Sequence, residues 1–156
     1  MGVTVQIDGL AELQAKLDAL PTKLAKRILR PALEDAGEII QQAAGVRAPR
    51  LQGSTEDRPT THQAGFLTTN IVLDVTVHND LSAEVRVGPS KAAFYGLFSE
   101  IGTAPHEESS PTGTRPYMHP GEPARPWLRP AFAETVDEYM GALIDNIKDG
   151  LDEVAA

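Results

Sequence analysis

Residues 71–87 read IVLDVTVHNDLSAEVRV, and the period of this stretch decides the fold class. Ile71, Leu73, Val75 and Val77 alternate with Val72, Asp74, Thr76 and His78; Leu81, Ala83, Val85 and Val87 alternate with Ser82, Glu84 and Arg86. Successive side chains on a strand point to opposite faces, so both runs predict half-buried strands, joined as a hairpin within 68–88. The apolar sets share a face only if facing residues have equal parity. A two-residue Asn79-Asp80 turn, which opposes Val77 to Ser82, is therefore excluded. A three-residue loop at 79–81 opposes Val77 to Ala83, Val75 to Val85 and Leu73 to Val87, and on the wet face sets Asp74 against Arg86. The register centred one residue earlier opposes Asp74 to Glu84, a like-charge pair, so the first is expected.

Outward from the hairpin the period changes from 2 to 3.6. Leu10, Leu13, Leu17, Leu20, Leu24 and Ile28 lie on one side of a helix, with Asp8 as a candidate N-cap. Pro21 suits a first helical turn, so this segment divides into a short helix and a longer one running to about Ala44, with Gly45 as its stop. Pro31 is expected to kink the second helix or start another. Phe94, Leu97 and Ile101 predict a short helix over 92–101, ended by Gly102. Phe132, Val136, Met140, Leu143, Ile147, Leu151 and Val154 form one stripe of a long closing helix, with Trp127 and Phe132 anchoring it in the core. Two segments, about 47–65 and 103–126, lack either period and are rich in Pro and Gly; both are expected to be mobile loops without elements. The fold class that follows is α+β, a small antiparallel sheet packed by long N- and C-terminal helices, in a single domain spanning 1–156.

The chain has 156 residues, 14 basic and 22 acidic, for a net charge of −8. That sign disfavours a protein whose task is to coat nucleic acid or an anionic membrane. The absence of Cys excludes disulfides, thiolate metal sites and a cysteine nucleophile. No apolar run reaches the ~20 residues of a membrane span and the start of the chain lacks signal-peptide regions, so a soluble, cytoplasmically made protein is expected.

The charge is unevenly placed. Lys16, Lys23, Lys26, Arg27, Arg30, Arg47 and Arg50 gather near the N-terminus, and Glu134, Asp137, Glu138, Asp145, Asp149, Asp152 and Glu153 near the C-terminus. One explanation is two helices with solvated outer faces. The other is complementary surfaces on copies of one subunit, where charge sets orientation and encounter rate. Under the second, Lys23, Lys26, Arg27 and Arg30 are the basic interface residues and Asp145, Asp149 and Asp152 the acidic ones.

Catalytic chemistry finds little support. No Gly-x-Ser-x-Gly elbow, phosphate-binding Gly-Lys-Ser/Thr loop or Gly-x-Gly-x-x-Gly turn occurs. Gly88-Pro89-Ser90-Lys91 reads as a plain connection into a helix. His106, Glu107, Glu108 and His119 are of metal-ligand type without helical ligand spacing; His62 and His78 stand apart. Glu100, alone in an apolar helix, is either a catalytic acid or a structural acceptor for a nearby backbone or Arg. No catalytic residue, cofactor or metal is assigned. A small metal-dependent hydrolase and a DNA-binding assembly factor remain remote alternatives.

The linear order of motifs resembles a known family. Gly9-Leu10 opening a leucine-spaced helix, Arg47-Ala48-Pro49, Gly65-Phe66-Leu67, Val87-Gly88-Pro89, the run Phe94-Tyr95-Gly96-Leu97-Phe98-Ser99-Glu100-Ile101-Gly102-Thr103 and the run Pro123-Ala124-Arg125-Pro126-Trp127-Leu128-Arg129-Pro130-Ala131-Phe132 resemble the tail-completion or neck proteins of long-tailed bacteriophages. The connection before Gly65 is longer than that pattern by roughly a dozen residues, and the loop after Thr103 is also extended. The resemblance implies a non-enzymatic virion protein at the head–tail junction, assembled in the host cytoplasm. It implies a self-associating, hexameric ring that joins the tail to connector or stopper proteins, with genomic DNA passing through the lumen unbound. Capping the tail tube as a tail terminator is the alternative station.

Overall fold

Alternation and helical period become real elements where apolar faces find partners. In a computed structural model, residues 10–50, 64–108 and 116–155 are described. The elements in order are α1 (Leu10–Asp18), α2 (Thr22–Arg47), α3 (Phe66–Thr69), β1 (Ile71–Val77), β2 (Ala83–Pro89), a short 3-10 turn at Lys91–Ala93, α4 (Tyr95–Ile101), β3 (His106–Glu108), β4 (Tyr117–His119) and α5 (Leu128–Ala155). The α+β class holds: a two-stranded hairpin sheet, a second two-stranded ribbon and long helices toward both ends. The expected Asp8 cap lies outside the described residues. Among the described residues, no helix is long and apolar enough to cross a membrane.

The chain forms two compact units. The first comprises Met1–Ile40, Leu73–Val87 and Thr135–Ala156, the second Gln41–Val72 and Gly88–Glu134. In the first unit, Leu13 and Leu17 of α1, Ala25, Ile28, Leu29, Ala32 and Leu33 of α2, Val75 of β1 and Ile147 of α5 make one buried cluster. Leu73, Val77, Leu81 and Val85 from the hairpin and Leu143, Ile144 and Leu151 from α5 pack against it. Each Leu or Ile fully withdrawn from water contributes roughly 1.5–3 kcal/mol, which is why the predicted apolar faces found each other.

The hairpin has the expected register. The His78 N–H donates to the Ser82 carbonyl at 2.8 Å, closing a three-residue loop, and the strands on either side are of equal length. Leu81, third in that loop, has φ 63°, the left-handed conformation such loops need at that position. The Asp80 carboxylate accepts from the Ser82 N–H and hydroxyl, and Lys26 Nζ donates to Asn79 Oδ1 at 2.8 Å. On the wet face the Arg86 guanidinium forks onto Glu84, two residues away, and feels the opposing Asp74 through space.

Three expectations need correction. Helix α2 runs through Pro31 and past Gly45 to Arg47. Pro31 is exposed, and buried Leu29, Leu33 and Ala36 on the opposite side hold the helix together despite the missing N–H. The 103–126 segment is not free of elements, since β3 and β4 pair antiparallel with His106 opposite His119 and Glu108 opposite Tyr117. Phe132 is 42% exposed and does not anchor α5, whereas Trp127 is 2% exposed and does. Most of the 47–65 loop, residues 51–63, lies outside the described residues, and Arg47 belongs to α2.

Replacing Pro31 with Ala restores a backbone donor in mid-helix at a solvent-facing position. Pro31→Ala is expected to raise unfolding stability by about 1–3 kcal/mol in a denaturant titration; a loss of stability would show that the ring is needed where it sits.

Candidate functional site

In the first unit, charged residues of α2 and α5 share one groove. Arg27 lines it with Asp35, Asp149 and Glu153, over a floor that includes Leu24, Ile28, Pro31 and Val154, and its volume is about 820 Å³. Arg30 is paired with Glu34 one turn on, at 3.3 Å, and Asp145 with Lys148 at 3.6 Å. Lys26 is held by Asn79, while Lys23 and Asp152 are exposed. The seven residues named from sequence thus form no single patch. Arg27 and Asp149 belong together, and Lys26, Arg30 and Asp145 have bonds within their own chain.

The second unit contains the most heavily bonded side chain of the described residues. Glu100 is 4% exposed. Its Oε2 accepts from the N–H groups of Trp127 at 2.5 Å and Leu128 at 2.8 Å, and its Oε1 from the Arg129 N–H at 3.1 Å and Arg129 Nε at 3.2 Å. The first N–H groups of a helix lack intrahelical partners and carry the positive end of its dipole. At α5 a carboxylate 27 to 29 residues upstream supplies the cap that a local Ser, Thr or Asp would otherwise give.

Burial opposes the charge on Glu100, but the three N–H groups and the Arg129 guanidinium outweigh it and hold the carboxyl below its ordinary 4.5. A general acid near neutral pH needs the opposite shift and a free oxygen. Glu100 therefore acts as a structural acceptor.

Further bonds close the same junction. Trp127 Nε1 donates to the Gly96 carbonyl at 3.0 Å, the Arg125 N–H to the Ser99 carbonyl at 2.7 Å, and Thr103 and Glu122 exchange backbone bonds of 2.9 and 3.1 Å. Gly102, with φ 75°, lies so close to the backbone of 122–124 that a Cβ would sit 2.7 Å from the Ala124 nitrogen. Elsewhere in the unit Gln41 Nε2 donates to the Ile71 carbonyl at 2.7 Å, and Arg47 is ion-paired with Glu134.

This junction fixes which way α4 faces. Its inner side is occupied by Gly96, against Leu67, and by Glu100, both buried. Its apolar stripe points outward: Phe94 is 58%, Leu97 48%, Phe98 48% and Ile101 62% exposed. Phe94 and Phe98 meet edge to face, with centroids 5.8 Å apart. The sequence had revealed the stripe without saying that it faces solvent; a lone acid opposite the stripe was the available signal.

Beside α4, a groove of about 990 Å³ is lined by Tyr95, Phe98, Ile101 and Arg125, together with His106 and His119 of the ribbon. The two imidazoles are 5.1 Å apart. His106 is raised above its ordinary value, first by the Ala104 carbonyl and then by Glu108, and Glu108 also accepts from the Tyr117 hydroxyl. Among the described residues no three His, Asp or Glu side chains are grouped to hold a metal ion; Glu107 is paired opposite Met118, away from the histidines' cross-strand pair.

Neither protein-family models, curated proteins nor solved structures gave a match to this chain.

Loss of the Glu100 carboxylate leaves buried donors unmatched. Glu100→Ala is expected to cost about 2–4 kcal/mol of stability, read as a lower denaturation midpoint; a cost below ~0.5 kcal/mol would deny the cap its role. Because the folded-state value is depressed, this stability is present above pH 4.5 and lost as pH falls through the folded value. Melting temperatures recorded from pH 7 down to pH 3 should therefore fall less steeply below about pH 4.5 in Glu100→Gln than in the parent chain.

Proposed function

We propose that this chain is a structural protein of a bacteriophage particle, a tail-completion or neck component that associates with itself in a ring and joins the tail to connector or stopper proteins. The observation that carries this reading is the bonding of Glu100 to Trp127, Leu128 and Arg129. The two motif runs that carry the resemblance, one around Glu100 and one around Trp127, form a single piece of structure, and that piece turns an apolar stripe to solvent. Exposed apolar surface of this kind suits a protein that works by docking.

The engagement of Glu100 as a cap removes the residue on which a hydrolase would most naturally depend. The net charge of −8 suits a lumen through which DNA slides without sticking. Partners are other copies of the chain, connector or stopper proteins and the tail tube; the site of action is the virion, after assembly in the host cytoplasm.

The test is cryo-electron microscopy of intact particles of the phage encoding this chain, together with particles from which its gene is deleted. Density for the chain in a ring between head and tail, and unjoined heads and tails in the deletion, are the expected results. Absence of the chain from purified particles, or normal tailed particles without it, would overturn the reading.

A further inference from the structure

The outer face of α4 is apolar with a mostly basic border, and the α2–α5 groove has a mostly acidic one. The α4 face is a row of exposed Phe94, Leu97, Phe98 and Ile101, spaced as a helical seam and free of charge. The groove is concave, with Leu24, Ile28 and Val154 on its floor. Around the row stand Lys91, in the turn before it, and Arg50 and Arg125, which line the groove beside Phe98 and Ile101, against Glu108 and Glu122 of the same groove. Around the groove the balance is reversed, with Asp35, Asp149 and Glu153 against Arg27.

We propose that a second copy of this chain covers α4, the apolar row of one molecule seating in the α2–α5 groove of the next. This rests on the self-association in the proposed function and names its surfaces. Such a contact joins unlike faces, so it propagates from copy to copy as a ring requires, whereas a face that met itself would stop at a dimer. Four half-exposed side chains of this size present on the order of 400 Å² of apolar surface, about half of one side of a standard interface. The charged borders supply much of the remainder and, on a chain of net charge −8, set the orientation in which copies meet.

The chain has no cysteine, so introduced thiols report the contact directly. Full-length Leu97→Cys and Val154→Cys chains, purified separately and mixed under mild oxidation, are expected to form a mixed disulfide dimer at least ten times more abundantly than either forms alone. In sedimentation velocity, Ile101→Glu is expected to weaken association tenfold or more. Lys91→Glu weakens it as well, and Asp149→Lys on the neighbouring copy restores it.

Abundant self-linking of Leu97→Cys would mean that α4 meets α4 and would overturn the proposal. So would a parent chain that associates while Ile101→Glu associates equally well and no mixed disulfide forms; that outcome would leave the proposed function standing, with another protein as the occupant of the α4 face. A parent chain monomeric at every concentration would overturn both the contact and the self-assembling ring. A chain that forms the predicted contact but is missing from particles would sink the phage reading alone.

Discussion

A carboxylate withdrawn from water keeps its charge only where donors replace the lost hydration, and the start of an α-helix has donors with nothing else to do. Glu100 and the first turn of α5 meet each other's need. The consequences spread from that point. Trp127 is drawn into the interior, its indole N–H reaches Gly96, and the residues after α4 are zipped to 122–125. With its inner face given over to a glycine and an acid, α4 must carry its large apolar residues outside. The carboxylate is sealed from solvent and both of its oxygens are engaged.

Much of the first unit was legible because its signals are local. Alternation in 71–87 gave both strands, and the sign of Asp74, Glu84 and Arg86 was enough to choose the register now closed by His78 and Ser82. The long stripe of α5 was equally plain. What could not be read was anything decided by a partner distant in sequence. Helix α2 survives Pro31 because of what its other face buries, and the three-residue strands β3 and β4 exist only through each other.

Periodicity failed in a more instructive way at α4 and Phe132. A stripe tells that a helix has two sides, not which of them is inside. At α5 Ile147 is buried and Val136, Met140, Leu143 and Leu151 are partly buried while Phe132 and Val154 are exposed; at α4 the row of Phe94, Leu97, Phe98 and Ile101 is outside. Glu100 was singled out from sequence because an acid among apolar residues is costly, but its partners at 127–129 lay beyond any local pattern. The charged residues behaved similarly: their sign was visible, whereas the shared groove of Arg27 and Asp149 depends on two helices far apart in sequence.

The antiparallel bridge between Thr103 and Glu122 makes the intervening chain an excursion that departs and returns at one fixed doorway. Once such ends are tied, doubling the length of what lies between adds only about 0.6 kcal/mol of closure entropy. The junction can therefore stay constant while the excursion lengthens, shortens or changes its chemistry, which makes this stretch the natural place for divergence and for grafting a foreign epitope.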